Sequence, residues 1–135
     1  MGLVTYGKNR ILDSFLGDNK GTLFPATLYV ALFTTAPNVS GTGGVEPTGN
    51  GYARVAVANT TAKWGNANLG SKSNADAITF PTCTTASWGT ITHWGFFDAA
   101  TSGNVIYFAA LTSPLLVTVG ATPYFSAGGL VISAE

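Results

Sequence analysis

The chain has 135 residues, and six basic and six acidic side chains give it a formal net charge of zero. Only 9% of its residues are charged, whereas an average soluble domain has about 25%. A neutral chain lacks the basic surface that attracts nucleic acid or anionic lipid, which argues against both as partners. The 46% of hydrophobic residues argue against disorder, and the length predicts one domain over residues 1–135.

Neither a membrane-spanning segment nor a secretion signal is predicted. Gly, Thr, Ser or Pro interrupts every apolar run well before the roughly 20 residues that a bilayer requires. The first residues lack the basic start and the long apolar run of a signal peptide. Cys83 is the only cysteine, so an internal disulfide is excluded. We therefore expect the chain to be made and kept in a cytoplasm.

One helix is predicted, over residues 5–17. Thr5 stands in the position of an N-cap, and Gly17 follows the last helical residue. The helical spacing brings four apolar residues onto one face: Ile11, Leu12, Phe15 and Leu16. We expect this stripe to be covered, either by the sheet of the same chain or by a partner.

After the helix the hydrophobic pattern changes to period two, which indicates strands. Residues 27–34 are apolar on both faces of such a strand, so one face should lie in a sandwich interior and the other under the helix, a loop or another chain. Six further strands are predicted, over residues 52–58, 77–80, 87–97, 104–111, 115–119 and 130–133. The predicted fold is mainly β: a single antiparallel β-sandwich or barrel, jelly-roll-like, of about seven or eight strands with one short N-terminal helix.

Two long loops are predicted, over residues 35–51 and 59–76, and the first is expected to form an extended arm or flap. Each tryptophan precedes a glycine, in Trp64-Gly65, Trp88-Gly89 and Trp94-Gly95. This pattern predicts bulges or a close backbone approach beside a large ring. The alternative is that the rings are exposed and used in binding.

No catalytic site, metal site or cofactor is predicted. Asp98 opens a turn, where its expected role is to accept hydrogen bonds from the turn backbone. Cys83 and the single histidine, His93, supply two soft ligands where a structural zinc needs four. As a nucleophilic pair they would need further groups that no motif provides, so we expect a buried thiol and no enzyme activity.

Several segments together resemble a family of short structural proteins of tailed bacteriophages, which carry labels of either head decoration or tail-fibre protein. The resemblance runs nearly end to end. Its most specific segment is residues 86–99, Ala-Ser-Trp-Gly-Thr-Ile-Thr-His-Trp-Gly-Phe-Phe-Asp-Ala, and residues 9–13, 29–34 and 51–54 add to it. The resemblance implies a part of the virion.

Head decoration, as a cement protein that binds the assembled capsid and stabilises it, is the favoured function at this stage. A charge-poor surface suits permanent contacts, and a protein that binds only the assembled shell stabilises that shell. The alternative is a tail, baseplate or tail-fibre component. A third possibility is a small glycan-binding β module that uses Trp64, Trp88 or Trp94 as stacking platforms.

The scarcity of charge also predicts self-association, with a homotrimer favoured. The expected partners are copies of the chain and the major capsid protein lattice on the capsid surface of the virion. No small-molecule substrate is expected. The candidate interface residues are Ile11, Leu12, Phe15, Leu16, Val39, Val45, Tyr52 and Trp64.

Overall fold

The computed structural model describes residues 2–17 and 24–133, and within them every side chain except that of Phe15. These ranges contain nine strands and two helices. In chain order the elements are β1 (Gly2–Leu3), α1 (Thr5–Phe15), β2 (Thr27–Phe33), β3 (Val55–Ala58), α2 (Thr61–Trp64), β4 (Ser71–Ser73), β5 (Ile78–Thr79), β6 (Gly89–Phe97), β7 (Val105–Val117), β8 (Tyr124–Phe125) and β9 (Val131–Ser133).

The fold is built on a five-stranded antiparallel sheet in the order β1-β7-β6-β2-β3. Along β2, side chains alternate between the two faces of the sheet. Leu28, Val30 and Leu32 lie in one core cluster, whereas Ala31 and Phe33 lie in another. The prediction that this strand is buried on both faces is confirmed.

Each face of the main sheet has its own cover. On one face, Trp94 and Phe96 pack in a cluster with Ile78 and Leu130, which belong to the region of the two-stranded ribbons β5–β8 and β4–β9. On the other face, the cover includes Val4 at the start of α1. The predicted mainly β fold with a short N-terminal helix is confirmed. The sheet is not closed, and its second layer is made of short ribbons.

Several predicted boundaries differ from the structure. The strands predicted over residues 104–111 and 115–119 are one strand, β7, in which residues 111–114 bulge opposite Thr92. Pro114 lacks an N–H, so it is tolerated at such a bulge. The predicted loop 59–76 contains α2 and β4, and β1 and β8 were not predicted because two-residue strands show no periodicity.

The N-terminus of α1 also differs from the prediction. Val4, and not Thr5, is the N-cap residue, and no side chain caps the helix. The chain enters α1 directly from the edge strand β1, so the Val4 N–H donates to the Ile106 carbonyl and the Thr5 N–H donates to the Val39 carbonyl. Within the described ranges, neither helix has the length and apolarity needed to cross a bilayer.

The predicted loop 35–51 is not an extended arm, because it is fastened to the sheet. The Glu46 carboxylate accepts hydrogen bonds from the Tyr52 hydroxyl at 2.7 Å and from Arg54 at 2.7 and 3.0 Å. Arg54 also donates to the carbonyls of Ala99 and Ser102, and its guanidinium carbon lies 3.4 Å from the centroid of the Phe97 ring. The largely buried ion pair thus ties the loop to the β6–β7 turn.

The tryptophan-glycine pairs serve packing, as predicted. All three indole rings are buried, which removes them as exposed stacking platforms. A Cβ atom on Gly95 would lie 2.7 Å from the Tyr107 carbonyl oxygen and 2.9 Å from the Phe33 ring, so only glycine fits there. Gly89 has a φ of +87°, a conformation that favours glycine. The predicted close backbone approach is therefore found at Gly95, whereas a Cβ atom on Gly65 would have nothing within 4 Å.

Asn74 is a buried amide, only 2% exposed. Its Nδ2 donates to the carbonyls of Asp76 and Ser126, at 2.8 and 2.9 Å. Its Oδ1 accepts from the Leu130 N–H at 2.9 Å. One side chain thus joins the segment after β4 to the segment before β9.

Replacing Asn74 tests this junction. We expect Asn74→Ala to lower the free energy of unfolding by about 1 to 3 kcal/mol, because the buried Leu130 N–H loses its acceptor. Asn66→Ala, at an exposed position of the same region, should stay within about 0.5 kcal/mol of the parent. Urea unfolding measures both, and equal effects would contradict the assigned role.

Candidate functional site

Asp98 accepts hydrogen bonds within the turn, as predicted. Its Oδ1 accepts from the Asn104 N–H at 2.7 Å, and its Oδ2 accepts from the Asn104 amide and the Tyr6 hydroxyl, both at 3.1 Å. Burial raises the pKa of Asp98, but the hydrogen bonds from Asn104 and Tyr6 outweigh it and hold the pKa below its ordinary value. Asp98 therefore joins the β6–β7 turn to α1.

Cys83 and His93 have separate partners. The buried Cys83 thiol donates to the Ala86 carbonyl at 3.1 Å, whereas His93 Nδ1 is hydrogen-bonded to the Thr92 hydroxyl at 2.8 Å. Burial lowers the pKa of His93. Within residues 2–17 and 24–133, no three His, Cys, Asp or Glu side chains are grouped as metal ligands. The exposed apolar side chains are therefore the more informative surface.

The first of these surfaces is the helix face, which we define as Leu12 and Leu16. These side chains are 58% and 77% exposed, and Ile11 beside them is half-buried. Within the described residues, the sheet of the same chain therefore does not cover Leu12 and Leu16, and cover by a partner stays a prediction. The reason is that α1 packs through its first turn, where a Cβ atom on Gly7 would lie 2.6 Å from the Ile106 carbonyl oxygen. The side chain of Phe15, another residue of the predicted stripe, lies outside the described part of the chain.

Two predicted interface residues lie in the 35–51 loop. The backbone of Val39 accepts from the Thr5 N–H, and the backbone of Val45 pairs with Thr34 and Thr35. Both valine side chains are nevertheless exposed. They are held in place by a fixed backbone, so each presents a small apolar contact without the entropy cost of ordering a loop.

Tyr52 and Trp64, the other two interface candidates, point inward. The Tyr52 hydroxyl accepts from the Leu32 N–H at 3.0 Å and donates to Glu46, and burial with the neighbouring Glu46 carboxylate raises its pKa. Trp64 is only 5% exposed and packs edge-on against Phe96. A bulky ring gains most by leaving water, which explains why α2 carries Trp64 into the core.

A second exposed surface was missed from the sequence. We define the distal patch as Leu115, Leu116 and Tyr124, which line one shallow cleft. Leu116 is 59% exposed and Tyr124 is 66% exposed. The sequence did contain a signal for this patch, namely the adjacent Leu115 and Leu116. Successive residues of a strand point to opposite faces, and the bulge before these two ends the regular burial of β7.

Comparison with protein families matches residues 2–133 to the family described as Podophage GP4 fiber I protein gp80. The chain belongs to this family. It is thus a member of a bacteriophage virion structural protein family, and this level of the prediction made from the sequence is confirmed. A search of curated proteins gives no match. For a member of the gp80 family, which is structural, exposed apolar surfaces are the natural candidates for assembly contacts.

The Asp98 turn of this gp80-family chain gives a pH prediction. The pKa of Asp98 is lowered by folding, so its stabilisation is present above the ordinary value of 3.8 and is lost as the pH falls through the lower, folded value. The difference in the free energy of unfolding between the parent and Asp98→Asn should therefore become smaller from pH 7 towards pH 3. Urea unfolding at several pH values measures this difference.

The matched control is Asp76→Asn, which removes a carboxylate that pairs with Lys63 at the surface. Exposed ion pairs contribute little, so this variant should differ little from the parent at either pH. A difference for Asp98→Asn that stays constant with pH would contradict the assignment.

Proposed function

We propose that this chain is a structural subunit of a phage tail fibre. The observation that carries the proposal is the match over residues 2–133 to a family whose description names a podophage fibre protein. The proposed role is mechanical: the chain holds a fixed place in the particle by binding its neighbours, and it catalyses no reaction. The charge-poor composition supports this role, because a surface with few ions suits permanent contacts.

Capsid decoration ranked first from the sequence alone, because a charge-poor surface suits a lattice of neighbours. That argument applies equally to a fibre, in which each subunit is also surrounded by other subunits. The family description adds a preference that the composition lacked, so the tail-fibre alternative now ranks first. Both functions share a virion location.

The proposed assembly is a homotrimer in which the helix face of one subunit meets the distal patch of the next. A cyclic trimer needs two different, complementary surfaces on each subunit, whereas a twofold dimer uses one surface twice. Two of the exposed apolar surfaces of this chain lie on different elements, one at the end of α1 and one at the end of β7. Between residues 77 and 133 Asp98 is the only Asp, Glu, Lys or Arg, so few charges of the distal patch would lose water in such a contact.

The location can be tested on intact virions. Gold-labelled antibody against the chain should mark the tail of the particle, with few copies per virion. Cryo-electron microscopy of the same particles would then place the subunit in the fibre. Label spread over the head, in hundreds of copies, would overturn the fibre proposal and restore capsid decoration.

The trimer contact can be tested by complementation. Leu12→Glu and Leu116→Glu each place a charge on one side of the proposed contact, so each variant alone should elute as a monomer. In an equal mixture, the distal patch of Leu12→Glu and the helix face of Leu116→Glu are both intact. These two surfaces should bind each other and form a heterodimer. Multi-angle light scattering after size exclusion measures the mass, and Thr112→Glu, an exposed change near the patch, should leave the trimer intact.

Two outcomes would contradict this arrangement. A parent protein that stays monomeric at micromolar concentration would remove self-association altogether. Loss of assembly in only one of the two glutamate variants, with no heterodimer in the mixture, would indicate a contact that uses one surface twice.

A further inference from the structure

A cleft of about 460 Å³ lies between the main sheet and the β4–β9 ribbon. Its apolar lining comes from Leu28 of β2, Phe96 of β6, Ile132 of β9 and Trp64. Sites for small ligands usually measure about 300 to 1,000 Å³ and combine an apolar lining with a few polar groups. The size and the lining of this cleft fall within that description.

The polar groups of the cleft are hydroxyls and an amide. Thr60, Thr61 and Ser71 line it, and their hydroxyls form no hydrogen bond with the described residues. Asn59 uses its amide nitrogen to donate to the Pro25 carbonyl at 3.0 Å, which leaves its amide oxygen as an acceptor. The rim therefore offers both donors and acceptors to a ligand that carries hydroxyl groups.

Lys72 gives the cleft a positive charge. Two other cations have acidic partners, since Arg54 pairs with Glu46 and Lys63 pairs with Asp76, whereas Lys8 and Arg10 of α1 form no ion pair within the described ranges. Lys72 is half-buried beside the cleft and has no ion pair among the described residues. In a chain with so few charges, a half-buried lysine without an acidic partner favours an anionic ligand.

Trp64 adds an unsatisfied donor at the same place. Its Nε1–H is buried and has no hydrogen-bond partner within the described ranges. The Trp88 Nε1–H, in contrast, donates to the Asn50 carbonyl at 2.8 Å. Buried donors nearly always have a partner, and an unpaired one calls for an acceptor from outside the chain, such as a ligand or a water.

A second cleft, of about 500 Å³, shares Trp64, Ser71 and Lys72 with the first. The two clefts therefore flank the same three side chains. Together they offer room for more than one ring-sized unit, and Lys72 lines both of them. This arrangement favours a chain of units over a single small molecule.

We propose that the two clefts flanking Trp64, Ser71 and Lys72 form a binding site for an acidic saccharide chain. The sugar carboxylate would pair with Lys72, the ring hydroxyls would meet the Thr60, Thr61 and Ser71 hydroxyls, and the apolar ring faces would lie on the lining. An apolar carboxylate would use the lysine but leave the hydroxyl rim unpaired. The proposal holds for a fibre and for a decoration subunit alike.

The test is an NMR titration of the isotopically labelled full chain with trigalacturonate. We expect the indole N–H signal of Trp64 to shift on binding, while the signal of Trp88, whose acceptor is inside the protein, stays in place. Two control compounds lack one feature each: maltotriose is an uncharged trisaccharide, and cyclohexanecarboxylate carries the charge without the hydroxyls. The dissociation constant of each should be at least about tenfold higher than that of trigalacturonate.

Two lysine variants separate the site from a general charge effect. Lys72→Met should raise the dissociation constant for trigalacturonate about tenfold or more. Lys63→Met removes a nearby exposed lysine that pairs with Asp76 and should leave binding unchanged. Lys72→Arg keeps the charge and should retain most of the affinity, which excludes a loss caused by misfolding.

Three results would overturn the proposal. The first is a failure of trigalacturonate to shift the Trp64 signal at concentrations on the order of 10 mM, where even weak sites are occupied. The second is equal binding by maltotriose or by cyclohexanecarboxylate. The third is equal loss of affinity in Lys72→Met and Lys63→Met, which would indicate non-specific attraction by the surface.

Discussion

The structure depends on a sheet whose two faces are both apolar. Five of the seven residues of β2 and five of the nine residues of β6 are buried, so water must be removed from both sides of the same strands. Among the described residues this chain forms no second large sheet on either side. It uses α1, the 35–51 loop and two short ribbons instead, and each of these elements is fastened by specific contacts. The fastening explains why the buried polar groups are few and nearly all paired.

The use of small elements to cover the sheet has consequences for assembly. Elements that cover a sheet through one edge or one turn leave their other sides exposed, and in this protein those sides are apolar. Leu12 of α1, Leu16 just after α1 and Leu116 of β7 are exposed for this reason. The bulge at residues 111–114 and Pro114 also interrupt the regular edge of β7, which disfavours strand-to-strand pairing between copies.

The few charges have specific places. Arg54 and Glu46 hold the longest loop against the sheet, and Asp98 holds the turn that Arg54 also contacts. Lys72 stands apart from these structural pairs, beside the clefts and the unpaired Trp64 donor. In a protein with so little charge, a lysine without a structural partner is more informative than the same residue on a highly charged surface.

The periodicity of the sequence determined the mainly β fold, the N-terminal helix, the double burial of β2 and the packing role of the tryptophan-glycine pairs, because these follow from local patterns of apolar residues. It also carried the signal of the virion family. The exposure of Leu12, the burial of Trp64, the fastening of the 35–51 loop and the grouping of Lys72 with Ser71 and Trp64 were decided only by the tertiary structure. These features depend on tertiary structure because the segment that covers an apolar residue can be distant from it in the sequence. Local spacing tells which residues share a face, and only the packing of the whole chain tells which faces meet.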